Sequence, residues 1–508
     1  MKHLSIEELK QFPGHLIGKA WRRTSTNDDL QRHCPYDDTL IWQGAAASKE
    51  EIDSAFISAR QAFYCWKNTA HTGRLAALES FQVQLKLRET ALAEAISRET
   101  GKPYWESEQE VASALAKFGH TLKAWETRQK PLDTPEYSLQ YHPHGILSIF
   151  GSLTFPLHLS HGQIFPALLT GNCVVFKPSA TTPLSARLYG EAIIASQIPR
   201  GVINIVFGDH ETARYIASHT QLDGLLFTGS SGVGLELAEQ FAKTPQKILA
   251  LEMEGSNPLI VSHLSKELRS SSRKAALYNI LVSAFITSGQ RCTCARRLII
   301  VRSAIDNLFL EDLANLAQKL PLGSPFENPA PFYGPLVSKK AQREHLAFQK
   351  RLLSRGGYAL LEGTIPTDKG PGCFVTPALI KMQAHNLIAD RASFGPCLQV
   401  AMAGDLEEAI DIANETPFGL SSAVMSDREK DFFIARERLR AGIVNWNTPT
   451  TGASSHLPFG GIGHSGNFRP AGSAMIDSCA YPVVSKLSKT LQMPTEKQRL
   501  PGLQNFNQ

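Results

Sequence analysis

DGLLFTGSSGVGLELAEQFA, residues 223–242, passes from an apolar run through a glycine-rich turn into apolar residues at helical spacing. The pattern predicts a buried strand, a tight turn and a helix. The same alternation recurs on both sides. GILSIFG (145–151) and CVVFKPS (173–179) read as buried strands, LSARLYGEAIIAS (184–196) as a helix, GVINIVFG (201–208) as a strand, and KILALEMEG (247–255) as another strand carrying Glu252 near its end. A second alternating block runs over roughly 270–435. Strands that alternate with helices imply parallel βαβ units and an α/β fold. Upstream, Ser48 and Glu51 form a capping box ahead of Ile52, Phe56, Ala59, Phe63 and Trp66 at helical spacing, and two further helical stretches cover 72–98 and 105–128.

A chain of 508 residues exceeds what one hydrophobic core serves, so two or three domains are expected. Hydrophobic residues make up 43% and charged residues 19%, the balance of a globular enzyme or scaffold. The net charge of +5 is spread along the chain, with no basic block or aromatic-basic stripe, which argues against a nucleic-acid partner. No run approaches the roughly 18 apolar residues that span a bilayer, so no membrane partner is expected. The opening MKHLSIEELKQFP contains acidic residues and no long apolar run, which reads as no secretory signal and a cytoplasmic location.

Eight cysteines at irregular spacing do not form a disulfide framework. Cys292 and Cys294, in SGQRCTCARR (288–297), form a CxC with no second ligand pair nearby, so no metal site is expected. A redox pair has CxxC spacing, which is not the pattern here. Cys292 follows Gly289 and Gln290, a backbone that permits close approach, and Arg291 offers a charge to a thiolate. Glu252 is a carboxylate in an apolar strand, either functional or held in a structural ion pair. Gly229, Ser230, Gly232 and Gly234 open a helix toward a phosphate or make an ordinary tight turn. Lys177 ends a strand, where it meets a ligand or merely solvent.

Taken together, these stretches resemble the aldehyde dehydrogenase family. FITSGQRC (285–292) matches its cysteine signature FxxxGQxC, and ETGKP (99–103), VVFKPS, GLLFTGSSGVG, LEMEGSNP (251–258), ANETPFGLSS (413–422) and PFGGIGHSG (458–466) occur in the family's order. ILALEM, GQRCTCARRL, GIVNWNTPTTGA (442–453) and GNFRP (466–470) look like the subfamily that oxidises N-succinylglutamate 5-semialdehyde in arginine catabolism. The resemblance implies two Rossmann-like α/β domains and a small bridging β-flap. The cofactor domain would cover 1–118 and 142–250, the catalytic domain 251–437, and the flap 119–141 and 470–490, ahead of a polar tail over 491–508. It implies NAD as cofactor, with NADP as an alternative, a small aldehyde substrate, and a homodimer or dimer of dimers. Cys292 would attack the aldehyde to give a thiohemiacetal, and Glu252 would activate water against the resulting thioester. Lys177, Ser179, Gly229, Ser230, Gly234 and Phe394 would bind the cofactor. Because Arg pairs bidentately with carboxylates, Arg291 and Arg469, with Phe459, are candidates to meet a substrate carboxylate or else form a surface or interdomain ion pair.

Four positions depart from the family pattern. SLTFP places Thr154 where the family has an oxyanion-donating Asn, and loss of one such donor costs roughly 100- to 1,000-fold in rate. KPSA and ASFGP place Ala180 and Ala392 where carboxylates hold the two cofactor riboses; each such hydrogen bond contributes roughly 1.5–3 kcal/mol. Ala180 also removes a charge that opposes the 2′-phosphate of NADP. Glu254 stands where the family has glycine, a second carboxylate near Cys292. Two readings follow: an NAD(P)-dependent semialdehyde dehydrogenase, or a divergent member that binds cofactor weakly and serves as a binding protein or thiol esterase.

Overall fold

The structure is a computed structural model that describes residues 11, 13–23, 30–265, 270–305, 308–390 and 394–503. Its core is built on two seven-stranded sheets. The first has the spatial order Ile248–Met253, Gly224–Gly229, Ile146–Phe150, Cys173–Lys177, Ile203–Ile205, His15–Ile17, Ala20–Arg22. The first five strands are parallel and the last two form an antiparallel hairpin along the edge. Ile146–Phe150 and Cys173–Lys177 are buried at every position, as parallel strands covered on both faces must be.

Among the five parallel strands Ile146–Phe150 comes first in the chain. Its successor lies on one side and Gly224–Gly229 on the other, in register from Gly224 beside Leu147 to Phe227 beside Phe150. The winding therefore reverses between these two strands. A crevice opens outside their carboxyl ends, which is where open α/β sheets hold ligands.

The second sheet has the order Tyr358–Leu361, Ala378–Lys381, Cys397–Ala403, Ala295–Val301, Asn257–His263, Ser421–Ser426, Ile443–Trp446, all parallel except the first. A smaller three-stranded sheet joins Leu132–Asp133 and Tyr137–Pro143 to Ala480–Lys486. Among the described residues no helix is long and apolar enough to cross a membrane.

The capping box forms as expected: Ser48 Oγ accepts from the Glu51 amide at 3.2 Å, and Glu51 Oε2 accepts from the Ser48 amide at 2.9 Å, opening the helix Lys49–Trp66. The stretch expected as one helix over 72–98 is two, His71–Lys86 and Glu89–Thr100. The chain turns at Leu87 and Arg88, whose amides bond back to Val83 and Leu85 carbonyls, while the apolar spacing resumes with Leu92 and Ile96. Periodicity runs through the break, so it does not mark it. Residues 119–128 complete the helix Tyr104–Arg128, and the small sheet starts only at Leu132. Strands continue to Trp446 in the second sheet, and Leu251–Met253 belong to the first.

Candidate active site

A cleft of about 720 Å³ lies between the carboxyl ends of the first sheet and the loop that precedes Ala295–Val301. One wall is formed by Ser152, Leu153 and Thr154 beyond the first strand of the winding, with Thr228, Gly229 and Ser230 beside them. Glu252 and Glu254 come from the end of the neighbouring strand, and Gln290 to Thr293 from across the cleft. Its volume is that of a site for a small organic ligand.

The loop carrying Cys292 is built on unusual backbone. Thr287, Ser288 and Gly289 all have positive φ, at 54°, 57° and 68°. The two non-glycine residues cost about 1–3 kcal/mol each in that conformation. Side-chain bonds hold them there: Thr287 Oγ1 donates to Glu106, and Ser288 Oγ donates to the Gly334 carbonyl at 2.6 Å. At 289 a Cβ would stand 2.3 Å from the Gly395 carbonyl oxygen, so only glycine fits. Asn257 fixes the far side of the loop. Its Nδ2 donates to the carbonyls of Cys292 at 2.7 Å and Cys294 at 2.8 Å, and its Oδ1 accepts from the Ser421 amide at 3.0 Å.

Cys292 is half-buried and its thiol is pushed up to about 12, first by burial, then by the charges of Glu252 and Cys294. Arg296 and the Thr293 amide oppose that shift. Arg296 is itself buried, donates to the Arg291 carbonyl at 3.0 Å and lies over the Phe394 ring. Glu252 is 4% exposed, and burial holds its carboxyl well above the usual range. Its Oε1 accepts from the Ala471 amide at 3.2 Å, while Oε2 is buried without a partner. A buried carboxyl with one unused oxygen in a cleft is suited to taking or giving a proton.

The opposite wall rests on two buried ion pairs. Lys102 meets Glu110 at 2.7 Å and donates to the Thr154 carbonyl at 2.8 Å. Glu110 Oε1 accepts from the amides of Leu157 and His158, at the amino end of the helix His158–Leu169, where negative charge is favoured. This chain of contacts pins the 152–157 loop. Arg291 meets Glu106 at 2.7 Å.

The aldehyde dehydrogenase family matches residues 21–482. The chain belongs to the aldehyde dehydrogenase family. It is 42% identical to an N-succinylglutamate 5-semialdehyde dehydrogenase of Ectopseudomonas mendocina, over 95% of this chain and 98% of that one. It is 41% identical to the Vibrio cholerae protein of the same name, over 94% and 98%. Among solved structures, a 1-pyrroline-5-carboxylate dehydrogenase from Thermus with bound NAD superposes with a TM-score of 0.85 at 26% identity, covering 95% of this chain and 94% of that one.

Of the positions singled out in this aldehyde dehydrogenase by sequence, Cys292, Glu252 and Thr154 face the cleft, as do Gly229, Ser230 and Phe394. Phe459 and Arg291 also line it. Lys177, Ser179 and Gly234 do not. Lys177 is buried at its strand end and donates to the Pro178 carbonyl at 3.2 Å, and Ser179 bonds Thr181 Oγ1 at 2.7 Å. Gly234 admits the Met253 sulfur, which would stand 2.2 Å from a Cβ there. Ala180 is exposed, and Ala392 lies outside the described residues.

The two expected carboxylate partners do not serve that role as placed. Arg291 is neutralised by Glu106, and Arg469 is exposed, off the cleft, with its charge reaching His144. Cys294 is a packed thiol, 0% exposed, directed at the Ile286 carbonyl. Sequence reasoning missed Glu106, Glu110 and Lys117. All three occupy the buried face of the helix Tyr104–Arg128, and charge on an otherwise apolar face was the available signal.

Proposed function

We propose that the protein oxidises N-succinyl-L-glutamate 5-semialdehyde to N-succinyl-L-glutamate with NAD or NADP, in arginine catabolism in the cytoplasm. The observation that carries this reading is near-full-length identity of 41–42% with dehydrogenases of that name, in a chain that places Cys292 and Glu252 in one cleft. The residues present fit a dinucleotide. The helix Ser231–Phe241 begins at Ser230 without a side-chain cap, leaving its first amides for an anion. Lys177 has no carboxylate in ion-pair distance among the described residues, and burial pulls it down to about 8. Ala180 leaves no charge against a 2′-phosphate.

Cys292, deprotonated, adds to the aldehyde carbon, and the new oxyanion takes hydrogen bonds from the Cys292 amide and the Thr154 hydroxyl. A bound nicotinamide supplies the hydride acceptor. Glu252 then takes a proton from water as it attacks the thioester, and Cys292 leaves as thiolate. Thr154 Oγ1 shares a 3.0 Å hydrogen bond with Ser152 Oγ, in which either hydroxyl can donate, and Ser152 donating leaves the Thr154 proton for the oxyanion. Homodimer formation is supported by the small sheet, where Tyr481, Val484, Leu132 and Tyr137 leave apolar surface exposed.

Purified protein, the semialdehyde and either cofactor should give reduced-cofactor absorbance. Its absence with both cofactors would refute the proposal. One observation favours the second reading, a thiol esterase with weak cofactor binding. Glu254 Oε1 accepts from Ser231 Oγ at 2.8 Å, placing a carboxylate at the helix end that the pyrophosphate needs. Hydrolysis of p-nitrophenyl acetate without cofactor, together with no calorimetric NAD binding, would decide for it.

A further inference from the structure

Among the described residues that line the cleft, one buried cation has no carboxylate or carbonyl partner. Lys102 and Arg291 have their carboxylates, and Arg296 donates to backbone carbonyls behind the nucleophile loop. Lys117 lines the cleft, is 8% exposed, and has no carboxylate within ion-pair distance among the described residues. Its partner is Ser455 Oγ at 2.9 Å, one of the three acceptors that an ammonium group can serve.

The surroundings make room for this ammonium and add no charge of their own. Gly162 faces it from the helix His158–Leu169, and a Cβ there would stand 3.2 Å from Lys117 Cε and 3.5 Å from Nζ. His158 and His161 are both pulled down to about 3, by burial first and then by the charge of Lys117, and so stay neutral. Burial also draws Lys117 to about 8, the expected response of a lysine held out of water without a counter-charge. A buried charge that the protein leaves uncompensated is costly, and an entering anion relieves that cost.

We propose that Lys117 and Ser455 form a subsite for a carboxylate borne by the aldehyde substrate, on a wall separate from Cys292 and Glu252. The ligand class is an aldehyde carrying a carboxylate away from its carbonyl. The proposal rests on the function proposed above, and it moves the carboxylate contact from Arg291 and Arg469 to a helix the motifs do not touch.

The test compares wild type with Lys117→Met, which keeps the length of the side chain, and Lys117→Arg, which keeps its charge. The readouts are the ratio of KM for butanal to KM for N-succinylglutamate semialdehyde, and calorimetric binding of N-succinylglutamate. Lys117→Met should reduce that ratio by about 10- to 100-fold, the loss of one charge-assisted hydrogen bond, with Lys117→Arg recovering part of it. Product binding should weaken by a similar factor. A ratio unchanged by Lys117→Met, with product binding also unchanged, would overturn the subsite. If wild type oxidises no aldehyde, the proposed function fails. The subsite then stands or falls on whether N-succinylglutamate binds wild type and is lost from Lys117→Met.

Discussion

Replacing Glu254 by glycine should tighten NAD binding. Its carboxylate accepts from Ser231 Oγ at 2.8 Å in the first turn of the helix Ser231–Phe241, whose amino end carries no side-chain cap. A carboxylate at a helix amino end gains about 0.3–1 kcal/mol from the aligned peptide dipoles, rising to about 2 kcal/mol when partly buried, and Glu254 is partly buried. That field is what an incoming pyrophosphate would use. Removing the competitor returns about 1–2 kcal/mol to the ligand, roughly 5- to 30-fold in Kd. The same change removes a hydrogen bond to a charged group, so the unliganded protein should lose about 0.5–1.5 kcal/mol of stability.

The assay is calorimetric titration of NAD into wild type, Glu254→Gly and Glu254→Gln, with unfolding midpoints recorded in parallel. Glutamine keeps the size and the contact but not the charge. If charge is the obstacle, both variants gain affinity; if bulk is the obstacle, only glycine does. A Kd for Glu254→Gly equal to or weaker than wild type would refute the reasoning.

Three other outcomes follow from the same geometry. Because burial and Glu252 push the Cys292 thiol to about 12, its thiolate fraction should grow about tenfold per pH unit between pH 7 and 10. Iodoacetamide labelling of Cys292, followed by peptide mass spectrometry, should show that rise, and a plateau below pH 9 would contradict it. Thr154→Asn should raise kcat, by up to about 100- to 1,000-fold if the longer amide reaches the oxyanion past Ser152, and steady-state kinetics with no increase would argue against a donor shortfall. Gly289→Ala should cost about 2–4 kcal/mol, since φ is 68° and the new Cβ would meet the Gly395 carbonyl at 2.3 Å; the urea midpoint reads this directly.

The strands could be read from apolar runs because parallel strands are buried on both faces and need no alternation to announce them, whereas the reversal of their winding is set by contacts between distant segments. The nucleophile and the carboxylate were legible for a different reason: FITSGQRC and LEMEGSNP carry constraints of backbone as well as chemistry, visible at Gly289 and Asn257. What stayed hidden depends on partners far apart in the chain. Arg291 next to Cys292 reads as an available cation until Glu106, 185 residues earlier, is placed against it. Arg469 sits in a motif that looks like a substrate contact, yet its side chain faces solvent. Lys117 needed only the helix period, since it falls in line with Glu110, Ala114 and Thr121 on the buried face. A lysine on that face had no local motif to attract notice.

The contacts of Glu252 and Asn257 also set an order of completion during synthesis. The last strand of the second sheet ends at Trp446, so a nascent chain of that length holds both large sheets. Cys292 is by then tied through Asn257 to Ser421. Glu252 still lacks the Ala471 amide that holds it and the segment around Gly460 that closes over it. A chain stopped between 447 and 470 therefore has a thiol in place and a carboxylate not yet oriented. Such a product would also lack Met475, Ile476 and Cys479 of the first domain's core, so the carboxylate and the last of that core are completed by the same short segment.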